Sequence, residues 1–254
     1  MVDKQVDMRA ALDYEKIVAK SAPGERVLAH AIDGNKVFIK KSDSRKKRFW
    51  HVLQGAAYRI TKNPLLAPSV LSGGDTDFEV ARLREMKAAG LCVPDVLYVG
   101  KDFFVMSDTG ENLQSYLHNN PHKAEQSIAL AIKKLARMHN LGFVHGGAQI
   151  RNYTIKDGVI SAIDFEEECK PQHIELFKIR DVLFFLLSLE NRKLDSCAKK
   201  LCGIYQDFAG KDIFTPLSKM FKKYRWIGFL NRPFWYSIIG TDVKVFLSLM
   251  SKFQ

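Results

Sequence analysis

Asn152 and Asp164, twelve positions apart, are the two side chains of this sequence best placed to do chemistry together. Between them, Thr154-Ile155 and residues 159–163 form two β-prone runs around Asp157-Gly158. Asp-Gly tolerates the positive φ of a two-residue turn, so the pattern predicts a hairpin that delivers Asp164 at the exit of its second strand. A loop asparagine and a strand-end aspartate brought together in this way make an all-oxygen site. Mg²⁺ takes such sites, completing its shell with water and substrate phosphates.

The elements that must position this pair follow from hydrophobic periodicity. Residues 26–41, RVLAHAIDGNKVFIKK, are two β-rich runs broken by Asp33-Gly34-Asn35, a second hairpin. The chain then turns basic, with Lys40, Lys41, Arg45, Lys46, Lys47 and Arg48 inside nine positions, suited to a solvated loop or to docking on phosphate or an anionic surface. In TDFEVARLREMKAA, residues 76–89, Phe78, Ala81, Leu83, Met86 and Ala89 recur at helical spacing, and Gly90 follows as a stop. VPDVLYVG and DFFVMSD predict two short strands around Gly100-Lys101. A second helix is expected over 123–139, with Ile128, Ile132 and Leu135 on one face and Gly142 beyond its end. The organisation is therefore a β-rich portion, residues 1–106, followed by a helical portion, residues 107–254.

Composition narrows the class of molecule. With 254 residues and 46% hydrophobic side chains, the chain can bury a real core as one large domain or two small lobes. Its net charge of +11 points to anionic partners: nucleic acid, phosphorylated ligands or an anionic membrane surface. Cys92, Cys169, Cys197 and Cys202 have neither metal spacing nor the density of a disulfide framework, which fits reduced thiols in a cytoplasmic protein. The longest later apolar run, VLFFLL at 182–187, is too short to span a bilayer, so membrane contact is expected to be peripheral.

VFIK ending at Lys40, Glu79 on the following helix, His145 with Asn152 seven residues later, and D-F-E at Asp164 together resemble the protein-kinase-like fold. Within it, the succession GERVLAHAIDGNKVFIKK, a basic stretch, FEVARLREMKAAGLCVPDVL and then DGVISAIDFEE is most similar to small bacterial lipopolysaccharide kinases of heptose and Kdo sugars, over about residues 24–190. The resemblance implies an α+β, two-lobed fold, a small mixed β lobe plus a mainly helical lobe, with the nucleotide between them. It further implies that Lys40 reaches the α- and β-phosphates of ATP, that Glu79 holds this amine, that Asn152 and Asp164 hold Mg²⁺, and that His145 stiffens the loop. Asp181 resembles the helix aspartate that braces the catalytic-loop backbone. An acid at a helix N-terminus, stabilised by the macrodipole, would fit the same position.

Two features depart from that family pattern. No G-x-G-x-x-G precedes Lys40, which removes the usual backbone cradle for phosphate. Five residues before Asn152, where the family carries its base aspartate, stands Gly147, which cannot accept a proton. General-base help is worth about 10²–10⁴-fold, whereas positioning and charge neutralisation supply most of phosphoryl-transfer catalysis. Loss of the base therefore slows such an enzyme without abolishing it, and Glu166 and Glu167 are the nearest substitutes. The expected function is an ATP-dependent phosphotransferase, slow or unusual, acting on a lipopolysaccharide-type sugar or glycolipid hydroxyl. The alternative is a nucleotide-binding pseudokinase that serves as a regulatory or interaction module.

Residues 218–236 interleave Lys219, Lys222, Lys223, Arg225 and Arg232 with Phe221, Tyr224, Trp226, Phe229, Phe234, Trp235 and Tyr236. Such a stretch suits an anionic inner-membrane surface, or aromatics packed in the helical lobe with their lysines solvated outside. Nucleic acid is the competing partner for so basic a chain, with no recognition motif to support it.

Overall fold

The computed structural model describes residues 8–22, 24–32, 34–42, 70–71, 76–165, 167–191, 198–231 and 240–253. Strands β1 (Val27–Ile32) and β2 (Asn35–Lys41) pair antiparallel with Ile32 opposite Asn35, a two-residue connection. After β3 (Val70–Leu71) and helix α2 (Thr76–Ala88), strands β4 (Val96–Val99) and β5 (Phe103–Ser107) complete an antiparallel sheet of order β1-β2-β5-β4. Alternation along β2 explains its two faces. Val37 and Ile39 are buried with Phe103 and Val105, while Phe38 and Lys40 turn the other way.

The first face is covered by a helix that the sequence patterns above leave out, α1 (Met8–Lys20). Tyr14, Ile17 and Val18 form its i, i+3, i+4 stripe and pack against β2 and β5, with the Tyr14 ring 5.5 Å from that of Tyr98. Helix α2 is where expected, but its buried stripe is Thr76, Glu79, Val80, Leu83 and Met86, not the one running through Phe78, Ala81 and Ala89. The correction has a physical cause: Glu79 is drawn inside by a buried cation, which rotates the helix away from its purely apolar face. Gly90, at φ +76°, ends the helix as anticipated, with Leu91 N–H bonded to Met86 C=O at 3.0 Å.

The helical lobe begins with β6 (Glu111–Asn112), α3 (Leu113–Asn119) and α4 (Ala124–Asn140). Strands β7 (Tyr153–Lys156) and β8 (Val159–Ala162) form the expected hairpin, with Asp157 and Gly158 both at positive φ. Next come β9 (Glu167–Glu168), α5 (Ile174–Asn191), α6 (Ala198–Ala209), α7 (Phe214–Lys223) and α8 (Thr241–Ser251). One core joins both lobes: Val80, Leu83 and Met86 of α2 and Phe104 of β5 cluster with Ile128, Ile132 and Leu135 of α4 and Phe185 of α5. The fold is thus a small antiparallel sheet lobe on a mainly helical lobe.

Most of the basic run after Lys41, and residues 232–239 of the C-terminal stretch, lie outside the described residues. Of the rest of that stretch, Phe221 is buried against Phe246 and Phe253, whereas Trp226 is 69% exposed. Among the described residues, no helix is long and apolar enough to cross a membrane. Because Leu83 is 1% exposed in the core shared by both lobes, Leu83→Ala is expected to destabilise the whole molecule by ~2–5 kcal/mol in urea denaturation. A loss below about 1 kcal/mol would show that the lobes do not share this core.

Candidate functional site

Lys40, the penultimate residue of β2, lies on the face opposite α1, and its Nζ lies 2.7 Å from Glu79 Oε1 of α2. The same Nζ lies 2.7 Å from Asp164 Oδ1, just past β8. Lys41 turns the other way, its Nζ bonding Ser21 Oγ at 2.7 Å beyond α1. Alternation along one strand therefore separates the two lysines, and Lys40 meets the acids. Asn152 joins them through the β7–β8 hairpin: Ile163 N–H donates to the Asn152 carbonyl at 2.9 Å, extending the ladder to the residue before Asp164. Asp164 itself adopts φ 70°, a left-handed conformation that costs a non-glycine residue energy and that clusters at functional sites.

The two carboxylates experience the ammonium differently. Burial raises the Glu79 carboxyl above its ordinary range, more than the neighbouring Lys40 lowers it. Burial also pushes Asp164 upward, but the Lys40 charge and hydrogen bond, with His145 and Arg26, prevail and hold it below its ordinary value. The Asp164 side chain keeps 41% of its exposure against 5% for Glu79, so it is the partner that opens on solvent.

It opens on a cavity of about 430 Å³. Phe38, Pro94, Met106 and Ile163 give this cavity apolar walls, while Lys40, Asn152 and Asp164 add polar groups. A volume in the small-ligand range, apolar walls and a few convergent polar groups suit a planar ring carrying a charged chain. Asn152 Nδ2 donates to the Gly147 carbonyl at 2.8 Å, which leaves its Oδ1 as the atom available to a cation. With the Asp164 carboxylate this gives two hard oxygen donors. No cluster of three or more His, Cys, Asp or Glu suited to a metal occurs among the described residues. The donor set therefore fits a cation such as Mg²⁺ that brings further oxygens from phosphate and water.

The loop that carries Gly147 and Asn152 is held from beneath by α5. Asp181 Oδ2 accepts the His145 backbone N–H at 2.6 Å and Oδ1 accepts that of Gly146 at 3.0 Å. Asp181 lies seven residues past the start of α5, so the helix-terminus explanation for it falls away; it braces the loop. Arg180, buried between Phe177 and Phe184, donates to the Gly146 carbonyl at 2.8 Å and pairs with Glu167. The carboxylate of Glu167 is thus engaged in holding the loop, and Glu166 lies outside the described residues. His145 is buried with its ring 4.7 Å from Phe165 and 5.7 Å from Tyr153. Gly147 stands open: a Cβ built there meets only Asn152 Nδ2, at 3.7 Å. Gly146, at φ +87°, has no such room, since a Cβ would fall 2.5 Å from that of Glu167.

Sequence reasoning missed Arg180, His139 and Tyr205. Their signal was the charged Arg180-Asp181 pair inside the otherwise apolar IRDVLFFLL of a helix too hydrophobic to face water; buried charges demand partners. His139 supplies one, its Nε2 lying 3.3 Å from Asp181 Oδ2 while Nδ1 meets the Tyr205 hydroxyl at 2.7 Å. A carboxylate only accepts, so Nε2 carries the proton and the tyrosine O–H donates to Nδ1.

Compared with known proteins, residues 28–198 match the family model of the RIO domain. Over 227 residues, 87% of each chain, the sequence is 25% identical to an uncharacterized protein of Haemophilus influenzae.

The brace makes stability acid-sensitive in two stages. Burial holds His139 below its ordinary value, against the opposing pull of Asp181. The unfolded chain therefore takes up a proton first, near pH 6.5, and stability is lost as pH falls below that. Burial pushes Asp181 upward, but the hydrogen bond and charge of His139, with His145 and Arg180, hold its carboxyl below the ordinary range. Its contribution is whole above about pH 4 and is lost as pH falls toward the depressed folded value. Denaturation at stepped pH should show both stages. Asp181→Asn should remove the lower one and cost ~1–3 kcal/mol at pH 7, because one of the two buried loop N–H groups then faces an amide NH2 in place of an acceptor. A flat profile between pH 7 and 4 would contradict the assignment.

Proposed function

Because the chain belongs to the RIO-domain family, an atypical branch of the protein-kinase-like superfamily, we propose that its cleft binds Mg-ATP and passes the γ-phosphoryl group slowly to a hydroxyl, without a catalytic-loop carboxylate. The observation that carries this reading is the buried Lys40 ammonium held 2.7 Å from both Glu79 and Asp164 at the edge of the cavity. In this reading Lys40 orders the α- and β-phosphates, Glu79 fixes the lysine, and His145 stiffens the loop from within its aromatic pocket. Asn152 Oδ1 and Asp164 hold Mg²⁺, which would supply charge neutralisation of the phosphate oxygens. Gly147 occupies the position of the missing base. With Glu167 tied to Arg180, proton removal from the acceptor falls to solvent or to the phosphoryl group itself. The transition state is loose, so rate is lost by the worth of one base and positioning is retained.

For the acceptor we infer a hydroxyl of a lipopolysaccharide-type sugar or glycolipid, met at an anionic membrane surface. Supporting this, a cavity of about 340 Å³ lies beside the same loop, lined by Gln114, Gln149, Arg151, Ser188 and Asp242, side chains that hydrogen-bond hydroxyls. Trp226 and Phe229, 69% and 42% exposed, stack near Lys222, Lys223 and Arg225, a basic-aromatic combination suited to an anionic interface. A second reading, a nucleotide-binding pseudokinase acting as a regulatory or interaction module, is favoured by the engagement of Glu167.

ATP turnover by Gly147→Asp separates the two. The open space at Gly147 accepts the carboxylate, so turnover should rise ~10²–10⁴-fold over a measurable wild-type rate, and Asp164→Asn should abolish both rates. A wild type that binds ATP with no turnover above buffer would leave the pseudokinase reading. A folded, ATP-binding Gly147→Asp with no gain would remove Gly147 from the place of the base.

A further inference from the structure

The site as described leaves a charge problem. Lys40 contributes one positive charge and is shared between two carboxylates, Glu79 and Asp164, so the three side chains alone present a net negative charge to an arriving polyanion. In other proteins a glycine-rich loop offsets this with backbone N–H groups pointed at phosphate. The β1–β2 connection spans only the two residues between Ile32 and Asn35, too few to wrap over a phosphate chain.

Arg26 fills that role by position. It immediately precedes β1 and lines the cavity with Lys40 and Asp164. Among the described residues lining the cavity, Lys40 and Arg26 are the cations. The backbone around Arg26 is fixed by the neighbour of Lys40: Lys41 N–H donates to the Arg26 carbonyl at 2.8 Å. Lys41 Nζ meanwhile reaches Ser21 Oγ at 2.7 Å and the Ala22 carbonyl at 3.4 Å. The approach to β1 is thereby pinned to the strand end that carries Lys40. The guanidinium is close enough to favour the ionised forms of both Glu79 and Asp164. With it the four side chains sum to zero charge.

We propose that Arg26 is the phosphate-binding clamp of this site, its planar fork of donors taking the place of a glycine-rich loop on the nucleotide's polyphosphate. The inference rests on the nucleotide reading above and extends it to a specific residue. A guanidinium pairs bidentately with phosphate oxygens, and a lysine offers only a point charge. The clamp acts on the phosphates and leaves the base and ribose alone. A merely structural Arg26, holding the two carboxylates, would instead lower stability without discriminating between ligands.

Calorimetric titration of the full chain with adenosine, ADP and ATP in the presence of Mg²⁺ tests this, using wild type, Arg26→Gln, Arg26→Lys and Arg26→Ala. The proposal expects Arg26→Gln and Arg26→Ala to weaken ATP and ADP roughly 10- to 100-fold with adenosine unchanged. Arg26→Lys should fall between them and wild type, and the losses should shrink at high salt. If Arg26→Ala does not fold, Arg26→Gln, which keeps a polar side chain and removes the charge, decides. Wild-type binding of ATP with unaltered affinity in the Gln variant overturns the clamp and leaves the nucleotide site standing. Equal losses for adenosine and ATP overturn it as well, in favour of a structural role. A wild type that binds neither nucleotide overturns the nucleotide reading, and the clamp falls with it.

Discussion

One ammonium group organises this molecule. Lys40 Nζ lies 2.7 Å from a carboxylate of α2 and 2.7 Å from another at the exit of β8, so the sheet, the helix beside it and the hairpin of the helical lobe meet on a single charge. Lys40 and Glu79 are each only 4% exposed. A buried pair of this kind is a weak source of net stability, but removing one partner strands the other and costs ~3–5 kcal/mol. The pair therefore acts as a constraint. It draws Glu79 inward, sets the rotation of α2 and through it the seating of Val80, Leu83 and Met86 in the shared core. Asp164 is the more open of the two partners, and an incoming polyphosphate and its cation would compete with Lys40 for that carboxylate.

The second constraint lies beneath the first. Arg180 and Asp181, adjacent on α5, reach the same loop by different routes, the aspartate through two backbone N–H groups and the arginine through the Gly146 carbonyl. Close approach of β9 at Gly146 admits no side chain there, whereas Gly147, one residue on, has space to spare. The loop is thus rigid in backbone and vacant in side chain at the position facing Asn152. On the proposed reading, a scaffold that keeps its positioning groups would still order a phosphate chain without a proton acceptor at Gly147, so the absence of a base and the absence of chemistry are separate questions.

Much of this was legible in the residues. Asp157-Gly158 announced the hairpin that brings Asn152 toward Asp164, Gly90 and Gly142 announced the ends of α2 and α4, and alternation along NKVFIKK separated Lys40 from Lys41. What was not legible depends on long-range partners. The stripe of α2 differs from the apolar pattern because apolar spacing alone does not count Glu79, which a buried lysine from another element pulls in. Helix α1 carries little signal in the sequence, because its apolar stripe is only three residues wide and becomes meaningful once β2 and β5 supply a surface. Asp181 was legible as a brace by resemblance, yet only its depth in α5 separates that role from an effect of the helix dipole. Its neighbours His139 and Tyr205, 42 and 66 residues apart in the respective contacts, carry no local signal of their meeting.

On the reading proposed above, Lys40, Asn152 and Asp164 form a metal-dependent nucleotide site. The most direct measurement is the thermal unfolding midpoint of wild type and Asp164→Asn with ATP and Mg²⁺ together and with each alone. A ligand that binds only the folded chain stabilises it by about 2.7 kcal/mol at a hundredfold excess over its Kd, a readily measured rise in Tm. Such a rise is expected for the wild type only when ATP and Mg²⁺ are both present, and none for Asp164→Asn. No rise at millimolar ATP, or an equal rise in the variant, would contradict it.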